Sequence, residues 1–161
     1  MIAAQRVSVE NRHRIEDLYA EYAACLDDAR FEAWPDFFTE DCRYRIVARE
    51  NYDRGLPLAL LAFESRGMLV DRVYGITQTL FHEPYYQRHI VSGLIVTSDA
   101  DGYRVRANYV VVQTKAGALP HVYSAGRYVD RIVDVDGSLR FAEKICIFDS
   151  ELIANSMIYP I

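Results

Sequence analysis

A chain of 161 residues, 51% hydrophobic and 25% charged, is long enough to bury one core of its own and polar enough on its surface for solution. Its net charge of -5 and pI of about 5.3 work against binding a phosphate backbone, and without a Lys/Arg block an anionic membrane surface is excluded as well. One domain spanning residues 1–161 is therefore expected, with neither nucleic acid nor membrane as its partner.

The first element is a helix. Ile15, Leu18, Tyr22 and Cys25 or Leu26 recur at spacings of three and four, Ser8 is placed to cap the start, and Asp27-Asp28 leads out. A short second helix is expected over Arg30 to Phe38, carrying Trp34, Phe37 and Phe38, with Pro35 in its first turn. Asp41 to Ala48 reads as a strand whose first half alternates as a half-buried strand does, and Asn51 to Gly55 reads as a turn. Leu56 to Glu64 suits either a strand or the start of a helix. From Ser65 to about Gln78 a helix presents Leu69, Val73 and Ile76 on one face.

Beyond Pro84 the texture turns to strands: His89–Thr97, Tyr103–Thr114, His121–Val133 and Leu139–Asp149. Asp-Ala-Asp-Gly at 99–102, Lys-Ala-Gly at 115–117 and Asp-Val-Asp-Gly at 134–137 supply hairpin chemistry between them. Helices followed by a long antiparallel meander make an α+β fold. A twisted sheet curling around the first helix suggests a nuclear transport factor 2-like cone, and the same pattern also permits other α+β sandwiches.

The three cysteines, Cys25, Cys42 and Cys146, form neither an even disulfide framework nor a CxxC pair. They read as reduced, buried thiols in a cytoplasmic protein. Met1 to Glu10 lacks the charged and apolar regions of an export signal. The longest apolar run, Leu56 to Phe63, contains Pro57 and falls far short of the ~20 residues of a membrane span. Twelve tyrosines favour surfaces apolar at one end and wet at the other, such as interfaces or lined cavities.

Several segments, in order along nearly the whole chain, resemble one family. They are Trp34-Pro35-Asp36-Phe37-Phe38-Thr39-Glu40-Asp41-Cys42-Arg43-Tyr44, Asp71-Arg72-Val73-Tyr74-Gly75-Ile76, Tyr86-Gln87-Arg88-His89-Ile90-Val91-Ser92-Gly93, Gly126-Arg127-Tyr128-Val129-Asp130, and Leu139 through Ser150. Together they resemble the β subunits of Rieske-type aromatic-ring-hydroxylating dioxygenases. Phe63-Glu64-Ser65, Gly67-Met68-Leu69 and Asp149-Ser150 look most like the small subunit of salicylate 5-hydroxylase, and terephthalate-type small subunits look more distant. The resemblance implies the cone fold, a β trimer and an α3β3 assembly. It also implies a Rieske [2Fe-2S] cluster and a mononuclear Fe(II) on the α subunit, with no cofactor on this chain. Electrons would come from NADH through a reductase and ferredoxin, and the substrate would be a monoaromatic acid such as salicylate.

The residues agree with a chain that carries no metal. A Rieske centre needs paired Cys and His, and no Cys here is followed two positions later by His. His82 and His89, with Glu83 between, are too few and lie in a segment that reads as a loop entering a strand. A stand-alone isomerase, dehydratase or cyclase of the same fold would instead set an acid or base in the cone. Its candidates are Asp36, Tyr44, His89 and Glu143, the last alternating with Phe141 and Ile145 so that burial against Arg127 is possible. No GxSxG or Gly-rich phosphate loop occurs. The expected partner surface is the segment from Arg72 to His89, through Arg72, Tyr74, His82, Tyr85, Tyr86, Arg88 and His89, because aromatic residues beside Arg and His compose interface cores. The apolar end, Ser156 to Ile161, is expected to dock on its own sheet or on a neighbouring subunit.

Overall fold

The computed structural model describes residues 7–152 and 157–161. The N-terminal stretch read for an export signal begins outside them, as does Ser156 of the apolar end. Helix α1 (Val9–Asp27) starts where Ser8 predicts, with the Ser8 hydroxyl accepting from the Asn11 amide at 3.1 Å. Its buried face is Ile15, Leu18, Tyr19, Tyr22, Cys25 and Leu26. The segment Phe31–Phe37 is a 3₁₀ helix that holds Pro35 inside it. It leads into β1 (Phe38–Ala48), three residues longer at its start than the alternation suggested.

The expected turn at 51–55 is a helical turn, α2 (Arg49–Asp53), closed by Gly55 in the left-handed region. The ambiguous stretch after it becomes coil and a short strand, β2 (Leu61–Phe63). Ser65 caps α3 (Arg66–Tyr74), which runs on into a π turn at Gly75–Thr79. The last four strands are β3 (Tyr85–Asp99), β4 (Gly102–Lys115), β5 (His121–Val135) and β6 (Ser138–Phe148).

All six strands form one curved sheet in the order β2-β1-β6-β5-β4-β3, open at both edges and not closed into a barrel. Every pair is antiparallel except β1 with β6, which brings the first long strand beside the last. The concave face packs on α1 and buries alternate residues: Phe38, Cys42, Tyr44 and Ile46 of β1; Val105, Ala107, Tyr109 and Val111 of β4; Tyr128, Asp130 and Ile132 of β5; Phe141, Lys144, Cys146 and Phe148 of β6.

Of the four register shifts among the described strands, one lies in β3 and another in β6. Gly93, at φ +65°, sits where β3 slips against β4 between Ser92 and Ile95. The second lies between β5 and β6. Arg131 pairs with Glu143 and Ile132 pairs with Phe141, so Ala142 is the extra residue. One extra residue inverts the alternation, and Lys144 rather than Glu143 shares the inner face with Phe141. Of the glycines, Gly126 stands closest to its neighbouring strand. A Cβ there would lie 1.8 Å from the Ile147 carbonyl oxygen, so only glycine lets β5 and β6 come this near.

Candidate functional site: a filled cone and an exposed aromatic rim

The acid/base candidates do not converge. Asp36 is exposed and pairs with Arg66. Glu143 stands at the surface beside Arg43 at 3.4 Å, and Arg127 pairs instead with Asp53 at 3.1 Å. Burial of Glu143 fails because the bulge turned it outward. Tyr44 and His89 do point inward, but they have different partners. Tyr44 bonds Ile161, while His89 Nδ1 lies 2.6 Å from Asp27 Oδ1, and the Asp27 carboxylate also accepts from the His89 amide. Since the carboxylate can only accept, Nδ1 carries the proton.

The charged pair that the cone does bury was not foreseen. Lys144 and Asp130 are both inaccessible, with Lys144 Nζ 3.0 Å from Asp130 Oδ2. The ammonium stands 3.5 Å from the Tyr128 ring centroid, and the rings of Phe141, Tyr22 and Tyr19 lie at 4.6, 4.7 and 4.9 Å. Tyr19 donates its hydroxyl to Asp130. Burial pushes the Asp130 carboxyl above its ordinary range, against the pull of Lys144 and Tyr19. Burial also pushes the Tyr19 phenol well above its usual value, with Asp130 adding to the effect. The available signal was the period-two run Tyr128, Asp130, Ile132, which places Asp130 beside two core residues.

The apolar end docks on its own chain. Met157–Ile161 enter the cone, and Tyr159 and Ile161 are buried. Arg72 donates to the carbonyls of Met157 and Ile158, each at 2.8 Å. Gln87 Nε2 donates to the Pro160 carbonyl at 3.3 Å, and the Tyr159 amide donates to the Tyr85 hydroxyl at 3.2 Å. His82 Nδ1 donates to the Leu80 carbonyl at 3.1 Å, which leaves Nε2 to accept from the Tyr159 hydroxyl at 3.0 Å. Four of the seven residues read as partner surface, Arg72, His82, Tyr85 and His89, thus make polar bonds within the chain. Tyr74 (62% exposed), Tyr86 (79%) and Arg88 (71% of its side chain) remain outside, joined by a fully exposed Phe81. Tyr85 and Tyr86 divide as strand neighbours must, because β3 already begins at Tyr85. Beside Tyr86 and Arg88 a cleft of about 750 Å³ opens between the end of α1 and the start of β3, walled by Leu26, Phe31, Pro84, Tyr85 and Tyr159.

Comparisons with known proteins fit this architecture. Residues 7–144 match the SnoaL-like domain family. The chain is 39% identical over 145 residues to the anthranilate 1,2-dioxygenase small subunit of Burkholderia cepacia, covering 89% of this chain and 90% of that one. It is 31% identical over 153 residues to a terephthalate 1,2-dioxygenase terminal oxygenase β subunit of Comamonas sp., covering 94% and 99%. A crystal structure described as the β subunit of an aromatic-ring-hydroxylating dioxygenase, from Novosphingobium aromaticivorans, superimposes with a TM-score of 0.83 at 37% identity, covering 94% and 98%.

The chain belongs to the family of small subunits of aromatic-ring-hydroxylating dioxygenases. As a small subunit it is part of an oxidoreductase complex whose relatives act on aromatic compounds. Its own residues do not suit the iron centres of such enzymes. Cys25, Cys42 and Cys146 are free and buried, and burial pushes the Cys42 thiol up to about 11 and the Cys146 thiol up to about 12. His82 has a bond at each ring nitrogen and His89 is turned to Asp27. Among the described residues no group of three or more His, Cys, Asp or Glu could hold a metal ion. No helix among them is long and apolar enough to cross a membrane.

Proposed function

We propose that this small subunit is a non-catalytic assembly scaffold that seats an iron-bearing α subunit in an α3β3 hydroxylase of a monoaromatic acid. The observation that carries the reading is the filled cone. The space where a stand-alone enzyme would place substrate holds the chain's own Tyr159 and Ile161, and the candidate acids and bases are scattered. The anthranilate and terephthalate dioxygenases among the relatives support an aromatic acid as substrate, and the finer resemblance in Phe63-Glu64-Ser65 supports salicylate. Ferredoxin and an NADH-dependent reductase would act on the α subunit.

Under this proposal the partner surface is the Arg72–His89 segment, divided into two layers. Tyr74, Tyr86 and Arg88, with Phe81, meet the α subunit. Arg72, His82, Tyr85 and His89 hold the backbone beneath them. Large exposed aromatics around an Arg fit the interior of an interface. Self-association to a trimer is supported by the outer sheet face. There Ile90, Val110, Val112 and Val122 come together through the pairings Ile90 with Val110 and Val112 with Val122.

The test is to purify the chain with and without its α subunit. Alone it should be iron-free and should not hydroxylate salicylate when supplied with electron donors; with α it should co-purify in equal amounts. Hydroxylation by the isolated chain, or stoichiometric iron in it, would overturn the proposal.

A further inference from the structure

β3 is an outer strand of the sheet, and α1 runs beside its free edge. The His89 amide donates to the two oxygens of Asp27, at 3.1 and 3.0 Å, so it points away from β4. In an antiparallel pair the N–H and C=O of one residue point the same way, and residues two apart share that direction. The His89 carbonyl and both backbone groups of Val91 are therefore turned to the free edge. Exposure agrees: the His89 side chain is 0% exposed while the whole residue is 8% exposed, so its accessible part is main chain. Past the bulge at Gly93, the Leu94 carbonyl accepts from Arg12 Nη2 at 3.1 Å. Asp27 and Arg12 thus cap the two ends of this stretch. Between them, among the described residues, nothing bonds the His89 carbonyl or the Val91 N–H and C=O.

We propose that this edge receives an extended segment of the α subunit as a further strand beside β3. The inference rests on the assembly reading above and adds to it a place and a mode of bonding. His89 and Val91 lie on one wall of a cleft of about 680 Å³, and α1 forms the other. Between Glu16 and Asp27 that helix wall carries Ala20, Ala23 and Ala24, which leave room beside the strand. A chain that only guarded its edge against aggregation would block it with long or charged side chains. The hydrogen-bond pattern selects the occupant. An outward acceptor, donor and acceptor in line, at strand spacing, are matched by the backbone of an extended chain. Residues opposite one another share a face, so the one paired with Val91 points its side chain toward α1 and must be small and apolar. Arg88 is paired only at 3.8 Å, with an Asp27 already bonded to His89, and its exposed guanidinium suits an acidic residue of the incoming segment. Arg88 also belongs to the exposed aromatic rim, so rim and cleft make one surface. A second copy of this chain fits poorly, because its own β3 edge is lined by its own α1 and two helices would meet in one cleft.

The experiment uses the full chain co-expressed with its α subunit. Val91→Pro removes the outward N–H and keeps the bonds to β4, since proline is tolerated on an edge strand where the N–H faces away from the sheet. It should weaken association with α by about tenfold, the loss expected for one backbone hydrogen bond at a buried contact. Val91→Ala, which keeps the N–H, should assemble as the wild type does. Hydrogen exchange gives a second readout: the Val91 amide should exchange freely in the chain alone and at least about tenfold more slowly in the complex. A folded Val91→Pro chain that assembles normally overturns the inference, and so does Val91 exchange that α leaves unchanged. If Val91→Pro does not fold, the exchange measurement decides alone. Protection of Val91 that grows with the concentration of the isolated chain assigns the edge to a second copy and overturns the inference as well. A wild-type chain that fails to associate with α overturns the assembly reading itself, which keeps the two failures apart.

Discussion

Replacing Lys144 by Met tests the most unusual feature of the core. Methionine keeps an unbranched stem among Tyr19, Tyr22, Tyr128 and Phe141, so packing changes little and the ammonium is what is lost. At 3.0 Å the attraction to Asp130 is about 5 kcal/mol for an effective dielectric of ~20. Much of that offsets the cost of having buried the two ions. What remains after substitution is a buried carboxylate with the Tyr19 hydroxyl and no cation, and breaking one side of such a pair costs about 3–5 kcal/mol. The sign with pH follows from Asp130. Its folded pKa is raised above the unfolded value of about 3.9, so the folded state binds the proton more tightly. Asp130 therefore opposes folding progressively as pH rises above that value. Without Lys144 the folded pKa climbs further. The deficit of Lys144→Met should be largest at pH 7 and shrink toward pH 5. Urea unfolding at the two pH values measures it. Asp130→Leu added to Lys144→Met should recover most of the loss, because an apolar pair of similar size replaces an ion pair at little cost. A single variant within about 1 kcal/mol of wild type at pH 7, or a double variant as unstable as the single, would refute the reasoning.

Two arginines of one segment should behave oppositely. Arg88→Ala should leave melting unchanged, since its pair with Asp27 is long at 3.8 Å and its side chain is exposed; co-purification with the α subunit should weaken by about 2 kcal/mol. Arg72→Ala should instead lower the melting temperature, because it removes both donors to the Met157 and Ile158 carbonyls at a cost of about 2 kcal/mol. Gly126→Ala should destabilise by about 3 kcal/mol or prevent folding, because the new methyl meets the Ile147 carbonyl and β5 must separate from β6; circular dichroism melting checks it, and a wild-type melt would show that the strands part freely.

Helix α1, its Ser8 cap and the four long strands were legible because each is a local pattern: a period of 3.6, a hydroxyl before an apolar run, Asp and Gly between alternating segments. Strand starts were less legible. β3 begins at Tyr85 rather than His89 because its pairing with β4 extends to Lys115, a non-local match that Tyr85-Tyr86-Gln87-Arg88 does not announce. Glu143 was misplaced for a related reason. Its alternation with Phe141 and Ile145 is real, yet a single unpaired Ala142 reverses it, and a bulge is set by what the neighbouring strand requires. The same reversal explains why Lys144, the residue type least expected inside, is the buried one.

The site residues were legible as a composition and illegible as a geometry. Arg72, His82 and Tyr85 have the residue types of an interface, and those same types are suited to holding an incoming backbone, since Arg, His and Tyr all donate or accept at the end of a long arm. Which role each takes depends on where Met157–Ile161 lie, and nothing near positions 72–89 records that. Once the tail is in place, Arg72, His82, Tyr85 and Gln87 each bond it, and the side chains left outside are the ones with large aromatic area or an exposed guanidinium. A small subunit that fills its own cone can therefore still present a rigid outer rim, because the bonds that hold the tail inward fix the backbone from which Tyr86 and Arg88 project.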